Sequence, residues 1–250
     1  MRATRRETQL YRRLILEDLA RLFGTGVEDF GHTTREMVAS LDLGYSRLPA
    51  KARDTLILGI LKRIDSPELA PSGEGRQADW EKGWSENLHE FVASGCDPAK
   101  LIPKYYRKKV PIRLDGDYAM PSGDDFVLHW TAVLRDWLFR KYLAEADAIY
   151  EFGCGPGAHL HCLASMFPEK RFYGLDWARA SQEILSLLSK QHGGRIQGVH
   201  FDFFAPDPQV RLEPNSAVYT FGALEQVGDR HEAFLQFLLE QAPRVCVNVE

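Results

Sequence analysis

A glycine-rich turn directly after a short apolar segment is the part of this 250-residue sequence best suited to bind a ligand. Residues 148–157 read Ala-Ile-Tyr-Glu-Phe-Gly-Cys-Gly-Pro-Gly, which predicts a buried strand followed by a tight turn. Glycine lets the backbone approach a ligand because no side chain intervenes, and the helix expected next offers unpaired N–H groups at its start. Gly153, Gly155 and Ala158 also fit G-x-G-x-x-A, a permitted form of the dinucleotide fingerprint.

Acidic residues stand where a nucleotide-like cofactor would need them. Asp176 follows the second predicted strand, at about the position from which an acid reaches ribose hydroxyls. Glu151 lies two residues before the first glycine, and Asp202 follows the third predicted strand. Because more than one cofactor family uses an acid at the ribose, Asp176 supports the fold more than it identifies the ligand.

Residues 148–249 resemble the class I S-adenosylmethionine (SAM)-dependent methyltransferases. The resemblance rests on Glu151 before a G-x-G-x-G turn stiffened by Pro156, on Asp176, and on Asp202 after the third strand. The pattern is also similar, in more general features, to bacterial O-methyltransferases that act on sugars or natural products. It does not extend over the first 120 or so residues.

The resemblance implies a set of SAM-binding residues. Glu151 and the three glycines would shape the methionine end of the pocket, and Asp176 would bind the ribose hydroxyls. Trp177 would pack on the adenosine, while Asp202 and Phe203 would flank the adenine. For Trp177 a place in the core stays open, and for Asp202 a solvated strand end. In chain order the implied residues are Glu151, Gly153, Gly155, Gly157, Asp176, Trp177, Asp202 and Phe203.

Catalysis of methyl transfer needs few residues. The methyl group of SAM is already activated on a sulfonium, so the protein mainly aligns acceptor, methyl and sulfur. Residues 220–227 resemble a family segment that often reads Leu-Glu-His, but here neutral Gln226, which cannot act as a general base, replaces the histidine. The other candidates for a base are His159, His129 and Glu225, and a structural role stays open for each.

The order of segments after residue 124 predicts the fold class. Strands are expected at 148–152, 171–175, 196–201, 217–221 and 244–249, with helices between most of them. This alternation predicts an α/β, Rossmann-like parallel sheet with flanking helices. The family usually has two more strands, so we expect the sheet to be truncated after strand five. We favour a cut from a longer protein as the explanation. The alternatives are that a second copy, a partner chain or the N-terminal helices cover the open edge.

The first part of the chain reads as mainly helical. Helices are expected at 4–23, after Pro49, and through the stripe that contains Trp80 and Trp84, which is typical of a core-facing helix. Residues 103–123 are broken by prolines and glycines and predict a long loop, which we interpret as a substrate-binding or lid element. These features divide the chain into a helical, acceptor-binding region at 1–123 and a SAM-binding domain at 124–250.

A small polar molecule is the acceptor that we expect, contacted by the first half of the chain. The observation is the loop at 103–123, which is rich in tyrosine and arginine and too long for a simple tether. The residues that could line its pocket are Tyr105, Tyr106, Arg113, Asp117, Tyr118 and Trp130.

Composition argues against several other classes of function. A net charge of −4 gives no basic excess for nucleic acid, and no apolar run is long enough to span a bilayer. Four cysteines form no C-x-x-C pair and have no zinc spacing with histidine, so we predict reduced thiols in a cytoplasmic protein without a metal. Two alternatives remain open: an NAD-dependent oxidoreductase on the same fold, and a non-catalytic SAM-binding module.

Overall fold

The computed structural model describes residues 11–250. Within that range the strands are β1 Tyr11–Arg13, β2 Gly44–Arg47, β3 Ile112–Leu114, β4 Asp117–Pro121, β5 Ala148–Phe152, β6 Arg171–Asp176, β7 Ile196–His200, β8 Ser216–Phe221 and β9 Val245–Val249. The α-helices in the same range are α1 Leu16–Phe23, α2 His32–Ser40, α3 Ala50–Ile64, α4 Gln77–Ala93, α5 Phe126–Leu138, α6 Ala158–Met166, α7 Arg179–Gln191 and α8 Glu232–Gln241.

The chain divides into two compact units, each with its own sheet. We call them the antiparallel unit, which holds 11–70 and Lys104–Lys141, and the parallel unit, which holds Pro71–Pro103 and Tyr142–Glu250. The division differs from the sequence-based boundary at 123/124, because α4 belongs to the unit of the glycine-rich turn and α5 to the other. A polar loop in the sequence shows where a helix or strand ends, but it does not show against which of the two sheets the adjoining helices pack.

The antiparallel unit contains a four-stranded sheet that the sequence analysis missed. Its order is β1-β2-β4-β3, and every neighbouring pair is antiparallel. The predicted long loop at 103–123 is in part a hairpin, since Leu114 pairs with Asp117 across the two residues Asp115 and Gly116. Both have positive φ, +54° and +74°. This is the two-residue turn that Asp-Gly favours because its twist matches that of the strands.

The N-terminal helix is shorter than the sequence predicted. It begins at Leu16, whereas Tyr11–Arg13 forms β1 and pairs with β2, and residues 4–10 lie outside the described range. Leu14 is buried and its N–H donates to the carbonyl of Leu43 (3.1 Å). Pairing with a distant strand thus overrides the helical spacing of leucines that suggested one continuous helix.

Helices α1, α2 and α5 pack together through aromatic and polar side chains. Phe23 lies edge-on to Trp130 (5.3 Å between ring centroids) and tilted against Trp137 (4.9 Å). The buried hydroxyl of Thr34 donates to the carboxylate of Asp136 (2.6 Å), a residue that is itself buried. A buried carboxylate with a hydrogen-bond donor is a structural feature here, because it joins α2 to α5.

The parallel unit contains the Rossmann-like sheet that the sequence predicted. Its order is β7-β6-β5-β8-β9, all parallel, so that β5 lies in the middle. Every residue of β5 is buried, as expected for a central parallel strand covered on both faces. Phe152 packs against Phe201, Phe234 and Phe237 at centroid distances of 4.8, 5.0 and 5.9 Å.

Helix α3 forms as predicted, but none of its residues is buried. Its apolar face is exposed, with Leu58, Leu61 and Ile64 at 53, 52 and 60%. Among the described residues, no helix combines the length and the apolar character that crossing a membrane requires.

Candidate active site

The glycine-rich turn joins the buried strand β5 to helix α6 at the carboxyl edge of the parallel sheet. Gly153, Gly155 and Gly157 have φ of +71°, +50° and +72°, a region that residues with a side chain rarely adopt. The N–H groups of Gly153 and Cys154 donate to the carbonyl of Leu175 at the end of β6 (2.7 and 3.2 Å). The turn is therefore bound to the neighbouring strand, at the edge where parallel sheets bind ligands.

The three glycines face different neighbours. A Cβ on Gly153 would lie 2.5 Å from the Cβ of Ala223, after β8. A Cβ on Gly155 would lie 2.9 Å from the indole ring of Trp84 on α4, and one on Gly157 would lie 3.0 Å from Leu185 on α7. Each of the three glycines thus allows a neighbouring segment to pack closely. We call the backbone of Gly153 and Gly155, at the carboxyl edge of the sheet, the cradle.

Asp176 holds this cradle in shape. Its Oδ2 accepts a hydrogen bond from Gly155 N–H (2.8 Å) and its Oδ1 one from Ala178 N–H (2.8 Å). Burial raises the pKa of Asp176 from 3.8 to about 6, against the lowering effect of these two N–H donors. Each carboxylate oxygen has a second lone pair, which is acceptor capacity beyond these two hydrogen bonds.

A second carboxylate lies at the start of α7. Glu81, on α4, accepts hydrogen bonds from the backbone N–H groups of Arg179 (2.7 Å) and Ala180 (3.2 Å). It therefore satisfies helix N–H groups that would otherwise lack a partner in the first turn. Its negative charge also contributes to raising the pKa of Asp176. The sequence analysis missed Glu81, since nothing in the local sequence of α4 indicates that it caps a helix about 100 residues later.

Glu151 and Cys154 lie buried on either side of the first glycine. Glu151 is 2% exposed in β5, between Gly174 of β6 and Tyr219 of β8. The pKa of the Cys154 thiol is raised well above its usual value by burial, and further by the charges of Asp176 and Glu151. A thiol that stays protonated is a poor nucleophile, so Cys154 fits a packing role.

The residues predicted around the adenine lie after β6 and β7. Asp202 accepts a hydrogen bond from the N–H of Phe204 (2.9 Å), which shapes the turn after β7. Phe203 packs edge-on against the core residue Phe234 (4.7 Å), and Trp177 lies 5.9 Å from Phe204. Phe234 is buried. The other residues, which follow β6 and β7 at the same sheet edge as the glycine-rich turn, are half-buried: Trp177, Asp202, Phe203 and Phe204.

The three residues predicted as general bases do not all belong to the same unit. The ring of His159, at the start of α6, stacks on Phe221 at the end of β8 (4.5 Å). Glu225 is exposed in the short turn after β8, so both belong to the carboxyl edge of the parallel sheet. His129 lies in the antiparallel unit, where its Nδ1 is 2.9 Å from the carbonyl oxygen of Asp42.

Gln226 and Arg76 form a polar contact that the sequence analysis also missed. The Arg76 guanidinium donates to Oε1 of Gln226 (2.9 Å) and lies over the ring of Trp80 (5.2 Å). The backbone N–H of Gly73 donates to the Gln226 carbonyl (2.9 Å). Gln226 therefore joins the segment before α4 to the turn after β8. Within residues 11–250, no three His, Cys, Asp or Glu side chains are arranged to hold a metal ion.

Comparison with known proteins found no matching family model and no matching curated protein. Among solved structures, the chain is similar to PKMT2 from Rickettsia typhi in complex with AdoHcy, with 17% identity over 39% of this chain and 19% of that one (TM-score 0.34). It is similar to the 4+2 cyclase SpnF, with 14% identity over 68% and 57% (TM-score 0.43). It is also similar to the methyltransferase domain of bacterial CtHen1-C, with 20% identity over 47% and 63% (TM-score 0.39).

The chain spans less than two thirds of the length of each of these three structures. The fold assignment rests on the strand order of the chain itself. A five-stranded parallel sheet in the order β7-β6-β5-β8-β9, with a glycine-rich turn after its central strand, is a Rossmann-like α/β unit.

Proposed function

We propose that the chain is a SAM-dependent methyltransferase that methylates a small polar molecule at oxygen. The observation that supports it best is the joining of Gly155 to Asp176 at the carboxyl edge of β5 and β6. This contact places an acid directly beside a turn whose glycines carry no side chain that would stand between the backbone and a ligand. The nucleoside part of a cofactor needs both features, one for its ribose hydroxyls and one for close approach.

The carboxylates around α7 restrict which cofactor fits. Asp176 and Glu81 already accept from the N–H groups of Ala178, Arg179 and Ala180, the groups that would otherwise attract an anion. A cofactor with a phosphate on its ribose would meet two negative charges there. The site therefore favours a ribose with free hydroxyls, a property that SAM and NAD share and NADP lacks.

SAM, when bound, supplies a methyl group that is activated on its sulfonium. The residues of this chain would bind and orient it: Gly153 and Gly155 by close backbone approach, and Asp176 through the ribose. For a hydroxyl acceptor, the two candidates for proton removal in the parallel unit are His159 and Glu225, which follow β5 and β8. Neutral Gln226, held by Arg76, does not serve as a base.

Calorimetric titration with SAM, S-adenosylhomocysteine and NADH tests the proposal. We expect saturable binding of the first two and none of NADH. Binding of NADH alone would instead favour the oxidoreductase alternative on the same fold. Binding of SAM without methyl transfer to any of a panel of hydroxylated small molecules would favour a non-catalytic module, an alternative that the replacement of the family histidine by Gln226 also supports.

We also propose that a partner chain binds at the edge strand β9. In the described chain β9 pairs with β8 on one side, and Leu239 of the neighbouring helix α8 is 76% exposed. An open strand edge favours association with another chain. Sedimentation over a range of protein concentrations would detect a second copy, and a monomer at all concentrations would contradict self-association.

A further inference from the structure

Helix α4 touches three parts of the candidate site within the parallel unit. Just before the helix, Arg76 donates to Gln226 in the turn after β8. In its second turn, Glu81 caps the start of α7. One turn later, Trp84 lies against Gly155. The helix therefore lies over the carboxyl edge of the sheet, from the turn after β8 to the start of α7.

The indole of Trp84 fills the space that the missing side chain of Gly155 opens. A Cβ on Gly155 would lie 2.9, 3.1 and 3.3 Å from three atoms of the ring, closer than such contacts normally are. The ring is only half-buried, and it stacks on Trp80 at 5.4 Å. A cofactor that approaches the backbone at Gly155 needs the same space as this ring.

We propose that Trp84 occupies part of the cofactor site and that α4 shifts away from Gly155 when the cofactor binds. The proposal rests on the proposed function, because it concerns the same site. A helix that shifts at Trp84 also pulls on Glu81, three residues earlier. The Glu81 hydrogen bonds to Arg179 and Ala180 then lengthen, which opens the start of α7 beside Asp176. Trp84 thereby lowers the affinity for the cofactor, because the cofactor binds fully only to the conformation in which α4 has shifted.

The alternative is that Trp84 forms a fixed side of the cofactor pocket. In that arrangement Trp84 would stay where it is and stack on the cofactor, so that removing the ring would weaken binding. The two arrangements predict opposite signs for the same substitution. They also predict opposite changes in the mobility of α4.

The experiment compares SAM affinity in the wild type, Trp84→Ala and Leu88→Ala. Leu88 is a half-buried side chain one turn further along α4, and its substitution controls for a general loosening of the helix. We expect Trp84→Ala to bind SAM roughly threefold to tenfold more tightly, because the variant no longer has to displace the ring. We expect Leu88→Ala to remain within about twofold of the wild type. Weaker binding by Trp84→Ala would overturn the proposal.

Hydrogen exchange of the wild type gives an independent measurement that needs no variant. On adding SAM, the amides of α4 and those of Arg179 and Ala180 should exchange faster, and slower exchange at these amides would overturn the proposal. If Trp84→Ala does not fold, as judged by circular dichroism, the exchange result decides. Absence of SAM binding in the wild type and both variants would refute the proposed function and this inference with it, whereas tight binding with a protected α4 would refute the inference alone.

Discussion

The two sheets of this chain place their polar side chains differently. In the parallel unit, the ends of β5, β6, β7 and β8 meet at one edge, so that residues distant in sequence, such as Gly155 and Asp176, are brought together. In the antiparallel unit, neighbouring strands run in opposite directions, and a buried polar contact such as Thr34 with Asp136 joins two helices instead. A parallel sheet thus collects strand-end residues into a site, whereas a small antiparallel sheet spreads them over both edges.

Substituting one glycine in each unit should give the largest difference between them. Gly153→Ala meets Ala223 at 2.5 Å and adopts a positive φ, while Gly116→Ala also has a positive φ but open space around it. We expect Gly153→Ala to lower the free energy of unfolding by about 2–5 kcal/mol and Gly116→Ala by about 1–2 kcal/mol. Urea unfolding measures both, and equal losses would show that the clash at Ala223 relaxes freely.

Two acids make the units respond to pH in opposite directions. Burial raises the pKa of Asp176 to about 6, so that the folded state keeps this proton longer than the unfolded chain. Its contribution to stability is therefore full below pH 3.8 and is lost as the pH rises through 6. Hydrogen bonds from Lys141 and Thr25 lower the pKa of exposed Asp29 to about 2. That contribution is present above pH 3.8 and is lost as the pH falls through 2.

Asp176→Asn should remove a fall of about 3 kcal/mol in stability between pH 3.8 and 6, because burial raises the pKa of this carboxyl from 3.8 to about 6. Asp29→Asn should leave that range unchanged and remove only a loss at more acidic pH. Urea midpoints measured from pH 2 to pH 8 for the wild type and both variants separate these effects. A wild-type curve that parallels the Asp176→Asn curve between pH 3.8 and 6 would show that this carboxyl is not buried as described.

The parallel unit could be predicted from sequence because each of its strands carries its own signal. β5 is a continuous apolar run that ends in glycine, and β6 ends in an acid, so both the strand and its end are visible locally. The antiparallel strands β1 and β2 read Tyr-Arg-Arg and Gly-Tyr-Ser-Arg, which show no apolar alternation. Only pairing with distant segments makes them strands. The Asp115-Gly116 turn was the one local signal available, and it was overlooked.

The residues of the candidate site likewise fall into those that the local sequence predicts and those that it does not. The loop glycines and Asp176 could be predicted because their chemistry follows strand ends. Glu81 and Trp84 could not, since α4 reaches the site from earlier in the chain and its contacts depend on packing. The aromatic stripe predicted a core-facing helix, yet Phe91 is buried while Trp84 is half-buried against the loop. Spacing identifies an aromatic face without showing what lies opposite it.

The smallest effect is expected for Arg113, which tests whether the antiparallel unit contributes to acceptor binding at all. Arg113 lies exposed in β3, opposite Tyr118 of β4. With a hydroxylated small-molecule acceptor, Arg113→Ala should raise the KM for the acceptor while leaving the KM for SAM within about twofold, because a polar contact to the acceptor is lost. Equal changes in both KM values would place Arg113 at the cofactor or give it a structural role.

The dissociation constant of SAM for Asp176→Ala tests the central claim most directly. Asp207→Ala is the matched control, because Asp207 also accepts a backbone N–H, that of Gln209 (2.8 Å), but on an exposed turn. With folding verified by circular dichroism, Asp176→Ala should weaken SAM binding by about 1–3 kcal/mol, as expected for lost hydrogen bonds to a charged acceptor, while Asp207→Ala should match the wild type. An unchanged affinity in Asp176→Ala would contradict the placement of the ribose at this carboxylate, and with it the site proposed for the cofactor.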